Sequence, residues 1–123
     1  FFSQIHRLSH EANRMGFRLD HPALETRTNE DVLSTAASFG TVQLTHGGKL
    51  IILMADHQLT GGYPMIAHVI SADLPKLAQK RPGEPMQFNL CDQDTAENLW
   101  KAQQNHLQQI QSASILKLRS YAN

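Results

Sequence analysis

Asp56, Gln58 and Thr60 lead into the glycine pair Gly61-Gly62 and then Tyr63-Pro64, all within one loop between two apolar runs. The first run is Leu50-Ile51-Ile52-Leu53-Met54 and the second is Met65-Ile66-Ala67-His68-Val69-Ile70. A carboxylate, an amide and a hydroxyl therefore stand beside two glycines at the end of a buried strand. Glycine accepts positive φ and lets a ligand approach the main chain. Polar side chains that a rigid sheet holds in a loop suit binding or catalysis. The same residues also have plain structural readings. Glycine pairs commonly make tight turns, an aspartate can cap its own loop through an Asx-type bond, and His57 reads as a solvated loop histidine.

Other chemistries find less support. Seven histidines are scattered along the chain with no companion cysteine or paired carboxylate at ligand spacing, so no metal site is expected. The single cysteine, Cys91, follows a strand-like run and reads as a small core residue rather than a nucleophile. It permits no intramolecular disulfide and fits a reducing compartment. No Walker-type Gly-x-x-x-x-Gly-Lys run occurs, so any ATP would bind without a P-loop.

Composition narrows the partners. Lys plus Arg equal Asp plus Glu at 11 each, so no net field draws the chain to nucleic acid or a membrane. Arg14 and Arg18 read as local ligands or surface charges. No apolar run approaches the roughly 20 residues that span a bilayer. Phe1-Phe2-Ser3-Gln4 has neither the basic flank nor the apolar core of a signal peptide. A soluble, cytoplasmic protein is expected, and the absence of a starting Met reads as a piece of a longer one. At 123 residues and 41% hydrophobic, the chain is long enough for one domain with a real core.

The elements that must position the loop follow from pattern. Ile5 to Leu8 and Gly16 to Asp20 read as strands, the second ended by His21-Pro22. Residues 23–31 read as a loop and Val32-Leu33-Ser34 as a brief strand. Thr41 to Thr45 and Leu50 to Met54 flank His46-Gly47-Gly48-Lys49, a β-hairpin signal. The uninterrupted apolar run of the latter predicts burial on both faces. Met65 to Ile70 forms the next strand. Ser71-Ala72-Asp73 offers an N-cap for a short helix from Leu74 to Gln79, with Pro75 tolerated in its first turn. Met86 to Leu90 alternates as a last strand.

From Asp94 the period becomes helical. Asp94 with Glu97 resembles a capping box. Ala96, Leu99, Trp100, Leu107, Ile110 and Ala113 line one face, read as core packing, and the helix is expected to stop near Leu118. The expected architecture is a β-rich α+β domain: a barrel or twisted sheet over residues 1–93, packed by an amphipathic helix over 94–123.

A family resemblance now emerges. Asn13-Arg14-Met15-Gly16-Phe17-Arg18-Leu19, Val42-Gln43, Ile51-Ile52-Leu53-Met54-Ala55-Asp56, Gln58, Thr60-Gly61-Gly62-Tyr63-Pro64, Ile70, Ala72-Asp73-Leu74, Leu77-Ala78-Gln79 and Pro82-Gly83 stand in the family's order and spacing. From about Ser3 to about Ala102 the chain resembles the C-terminal part of the biotin-dependent carboxyltransferase/allophanate hydrolase subunit 2 family. That family's bacterial stand-alone members are described as the C-type subunit of the ATP-hydrolysing 5-oxoprolinase. The chain departs from the family's usual pattern at Leu59 (usually Thr), at Thr35-Ala36-Ala37 (usually acidic and glycine-containing), at Thr45 (usually Pro) and at His21 (usually Gly). Leu59 removes one hydroxyl from the loop.

The resemblance implies a cyclophilin-like β-barrel and an N-terminal half absent from this chain. It further implies a B-type partner (allophanate hydrolase subunit 1 family), an A-type partner, and ATP, with Mg, in the full complex. No biotin-attachment signature occurs. The implied reaction opens 5-oxoproline to glutamate, and the fragment alone is expected to be inactive. Phosphoryl transfer needs positioning and charge stabilisation more than covalent help. Arg14 would then clamp a carboxylate or phosphate, unless it is a structural ion-pair partner. Asp56 would orient a substrate N–H, hold a metal-bound water or act as base. Gln58 and Asn13 would bond the substrate's amide or carboxylate, although Asn13 also reads as a turn former. The N–H groups around Gly61-Gly62 would form an anion nest beside Thr60, and Tyr63 would close over the ring or simply plug the barrel end. Two alternatives from other classes accompany this reading: a regulatory module that binds a histidine-kinase inhibitor, and the carboxyltransferase part of a urea carboxylase.

Overall fold

The computed structural model describes residues 2–25 and 33–122. Most of the expected 23–31 loop and Val32 lie outside the described residues. The chain divides into two compact units, Phe1–Leu90 and Cys91–Asn123.

The first unit is an antiparallel sheet with a short helix. Its elements are β1 (His6–Leu8), β2 (Gly16–Asp20), β3 (Thr35–Ala36), β4 (Thr41–Leu44), β5 (Leu50–Leu53), β6 (Thr60–Gly61), β7 (Met65–His68), α1 (Leu74–Ala78) and β8 (Pro85–Met86). Six strands join in the order β7-β4-β5-β2-β1-β8, and β3 pairs with β6 as a separate ribbon. The expected barrel is not closed among the described residues. β7 and β8 are the two ends of the six-stranded sheet, and no described pairing joins them.

Side chains alternate across a strand, so the register assigns each residue to a face. Val42 opposes Ile52, which opposes Phe17, and Leu44 opposes Leu50. These residues, with Leu8, Leu19, Met54 and Leu77, build the core; Leu50 and Ile52 have no exposed surface. The opposite face of β5 is only half-buried at Ile51 and Leu53, so burial on both faces is not reached there. It is β4 that is buried on both, at Thr41, Val42 and Gln43.

The β4–β5 hairpin forms as expected. Gly48 sits at φ +73°, where a Cβ would run into the main chain of Leu24. Thr45 N–H donates to Lys49 O (2.8 Å) and Gly48 N–H to Thr45 O (2.9 Å), closing the turn. His21 braces this hairpin. Its Nε2 accepts the Leu50 N–H (3.2 Å). That leaves Nδ1 to carry the proton and donate to Pro22 O (2.5 Å). Burial pushes the His21 pKa below its ordinary 6.5, opposed by the Pro22 hydrogen bond and helped by His6 and Lys49 nearby.

Several boundaries shift for physical reasons. The brief strand expected at 32–34 appears instead at Thr35–Ala36, where β6 supplies a partner. The last strand stops at Met86, because β1 pairs only Pro85 and Met86; Phe88 packs on the core without a ladder. Asp73 stands at the N-cap of α1 as expected but makes no side-chain cap bond, and its carboxylate takes Lys76 Nζ at 2.7 Å.

The second unit is α2 (Gln93–Ala122), which continues past Leu118. Its cap is Asp92 rather than Asp94: Oδ1 accepts the Thr95 N–H at 2.7 Å. That bond holds the Asp92 carboxyl below its ordinary range. Glu97 instead accepts a bond from Gln93 (3.0 Å). Cys91 is exposed rather than a core residue, because no strand carries it inward. No helix among the described residues is long and apolar enough to cross a membrane.

Candidate functional site

The β2–β5 ladder pairs Gly16 with Leu53, Phe17 with Ile52 and Arg18 with Ile51. It continues past both strand ends. Met54 N–H donates to Met15 O (3.1 Å), and Asp56 N–H to Arg14 O (3.0 Å). Main-chain pairing thus sets Arg14 opposite Asp56, with Nε 3.0 Å from Oδ2. Their side chains are 87% and 51% exposed, and an ion pair so wet contributes at most about 1 kcal/mol. The pair is held by the sheet and remains open to a ligand.

Asn13 shapes the approach to β2. Its Oδ1 accepts the N–H groups of Met15 (2.9 Å) and Gly16 (3.3 Å), and its own N–H donates to Gly16 O (3.1 Å). The turn-former reading therefore describes its oxygen, and only Nδ2 is left to offer a ligand.

On the other side of Asp56, His57 Nδ1 lies 2.6 Å from Gln58 O, and Gln58 is exposed. Thr60 pairs with Ala36 and Gly61 with Thr35, extended by Ala37 N–H to Leu59 O (2.9 Å). Tyr63 packs edge-on against His46 with ring centroids 5.3 Å apart, which ties it to the hairpin turn. Neither Gly61 nor Gly62 has the positive φ of an alternating nest. Such a nest alternates right- and left-handed backbone, and the described glycines with positive φ are Gly40, Gly48 and Gly83. Nor do the two make a tight inter-strand turn, since Gly61 is part of β6.

Gly61 serves space instead. A Cβ there would come within 2.5 Å of Gln43 Nε2. Gln43 is 5% exposed, and its Nε2 has no hydrogen-bond partner among the described residues. Opposed to Ile51, it lies on the face that also carries Arg18. In the sequence, Gln43 stands out only as part of a matching motif. The alternation of Thr41-Val42-Gln43-Leu44-Thr45 points to a solvated face at Gln43, so the sequence carries no signal of its burial.

The described residues bring together no group of three or more His, Cys, Asp or Glu that could hold a metal ion. The exposed Arg14–Asp56 pair stands past the ends of β2 and β5, while Gly61 and the buried Gln43 amide lie at a separate position, where Gln43 opposes Ile51. Each can recognise a small molecule with a carboxylate or an amide.

Known proteins carry the same arrangement of sequence. A family model for the carboxyltransferase domain, subdomains A and B, matches residues 1–90. The C subunit of 5-oxoprolinase from Escherichia coli (strain K12) is 40% identical over 110 residues, covering 89% of this chain and 36% of that protein. Its Haemophilus influenzae counterpart is 44% identical over 103 residues, covering 84% and 33%. The chain therefore spans about a third of the length of these curated relatives. Saccharomyces cerevisiae urea amidolyase is more distant, 26% identical over 129 residues and matched over 7% of its length. Among solved structures, the K. lactis urea amidolyase superposes with a TM-score of 0.80 at 25% identity, covering 85% of this chain and 7% of that one. On the match of residues 1–90, this chain belongs to the carboxyltransferase domain family, subdomains A and B.

Proposed function

We propose that this chain is the C-terminal part of the C-type subunit of a 5-oxoprolinase. In this reading the whole enzyme opens 5-oxoproline to glutamate at the expense of ATP, together with A-type and B-type partners. The observation that carries the reading is the 40–44% identity to two 5-oxoprolinase C subunits over most of this chain, against 26% to urea amidolyase. The site's chemistry is compatible with it. 5-Oxoproline presents one carboxylate and one lactam amide. Arg14 is suited to the carboxylate, or to a phosphate, through its forked donors. Asp56 can accept the lactam N–H or a proton from an attacking water. Thr60 and Gln58 offer further hydrogen bonds, and the Asn13 amide a donor.

ATP, with Mg, belongs to the whole complex in this proposal, and no P-loop is needed from this chain. The polar face is completed by the parent protein's N-terminal half, and with it a closed, cyclophilin-like barrel. The urea carboxylase alternative is favoured by the fold likeness to urea amidolyase and by the weaker sequence match to it. Both are tested by mixing the full-length parent protein with its A-type and B-type partners and measuring ADP release. Release that depends on 5-oxoproline is expected. No 5-oxoproline-dependent release, with carboxyl transfer from carboxybiotin to urea measured in its place, would overturn the assignment.

A further inference from the structure

The second face of the sheet holds a buried donor with no acceptor among the described residues. Gln43 lies in β4, between β5 and β7, is buried, and lies against Gly61 of the β3–β6 ribbon. Its Nε2 is buried and makes no hydrogen bond among the described residues. Buried amide groups are overwhelmingly paired, and an unpaired one calls for a specific explanation. An apolar residue of similar size would fill this position without leaving a polar group unsatisfied. Gln43 is therefore not explained by packing.

Its surroundings indicate what would satisfy it. Gln43 opposes Ile51, and Ile51 opposes Arg18, so amide and guanidinium share one face two strand spacings apart, about 10 Å. Arg18 has only a loose contact of 3.9 Å with Glu11, and its side chain is 55% exposed. The barrier over Gln43 is slight. β3 and β6 are two residues each, joined by two paired positions. Thr60 and Leu59 beside Gly61 are exposed, and Gly62 adds a second residue with no side chain. A displaced ribbon would uncover the amide without breaking into the core, which lies on the other face.

We propose that Gln43 is a substrate-binding residue. Its carboxamide N–H donates to a carbonyl or carboxylate oxygen of a small molecule that enters by displacing Thr60–Gly62, with Arg18 on the same face attracting its negative charge. No covalent step is involved. The inference rests on the 5-oxoprolinase reading for the identity of the ligand, but not for the existence of the contact. Gly61 is required because any side chain there would occupy the amide's position.

The test uses the full-length parent protein in complex with its partners. Gln43→Leu removes the donor and keeps the bulk. The expected result is a KM for 5-oxoproline about tenfold higher, the magnitude of one lost hydrogen bond. In the same variant kcat should stay within about twofold of wild type, since one ground-state hydrogen bond is a binding contact, and thermal stability should be equal or higher. Gly61→Ala should raise KM similarly and add little in the Gln43→Leu background, because both act on one contact. An unchanged KM in Gln43→Leu, or a fall in kcat and stability together, would overturn the proposal. Should the Leu variant fail to fold, Gln43→Met provides the same comparison. If wild type shows no turnover with 5-oxoproline, the functional reading fails instead. Calorimetric titration of wild type and Gln43→Leu with 5-oxoproline and with urea then decides the Gln43 contact. Binding of either that weakens about tenfold in the variant upholds it, and binding that is equal or absent in both overturns it.

Discussion

The two faces of the six-stranded sheet obey different rules. One face is closed and apolar: Leu8, Leu19, Val42, Leu50 and Ile52 are all within 2% of full burial. The other holds Arg18, Gln43, Thr41 and His68 among half-buried Ile51 and Leu53. Every strand that crosses the sheet serves both. The comparison teaches that strand alternation sets a closed core face and a more polar face one residue apart, so neighbouring substitutions should differ sharply in their cost to stability.

That separation predicts a graded series. The largest loss of stability is expected on the closed face: Ile52→Ala should cost about 2–5 kcal/mol in urea or thermal unfolding, with a cavity left among Val42, Phe17 and their neighbours. A cost below about 1 kcal/mol would mean that the core is not where the register puts it. Next comes Gly48→Ala in the hairpin. Its φ of +73° and the Leu24 main chain that a Cβ would meet predict a loss of about 1–3 kcal/mol.

A pH effect follows from His21. Its pKa is lowered in the folded state, so the unfolded chain binds the proton more readily. Stability is then full above the ordinary pKa of 6.5 and declines as pH falls from there through the folded value. Protonation at Nε2 also sets an N–H against the Leu50 N–H that Nε2 now accepts. The difference between wild type and His21→Gln, measured by urea unfolding across roughly pH 5–8, isolates this contribution. A difference that stays flat across the range would remove His21 as its source.

The smallest effect on stability is expected at the open end of β2 and β5. Arg14→Ala and Asp56→Ala should each change unfolding free energy by no more than about 1 kcal/mol, because the pair is exposed and the main chain positions it. Activity should respond in the opposite order, with Ile52→Ala reducing the folded fraction but not the turnover of what remains folded.

Much of this scaffold can be read from residues alone. Gly16–Asp20 and the Gly47-Gly48 hairpin declare themselves through alternation and turn chemistry, and α2 through its apolar period. What stays hidden depends on contacts far away in sequence. The end of β8 at Met86 is set by how much of β1 is left to pair, not by the alternation that runs on to Leu90. Asp92 displaces Asp94 as the cap because the helix begins two residues earlier than a cap at Asp94 would place it. Gly61-Gly62 illustrates the same gap at the site. The pair looks like a device for unusual backbone, yet Gly61 is small because Gln43 lies under it. For Arg14 and Asp56, pattern alone predicts the flanking strands, but the β2–β5 pairing that sets the two side by side joins distant segments and is not legible.

The central claim is that the exposed Arg14–Asp56 pair is there for a ligand rather than for the fold. The most direct measurement is 5-oxoproline-dependent ATP hydrolysis by the whole complex carrying Asp56→Ala, with its thermal unfolding recorded alongside. Turnover reduced on the order of 100-fold or more, as for loss of an acid–base or orienting group, with an unfolding transition close to wild type, is the predicted result. Wild-type turnover in that variant, or a turnover loss that merely tracks unfolding, would contradict it.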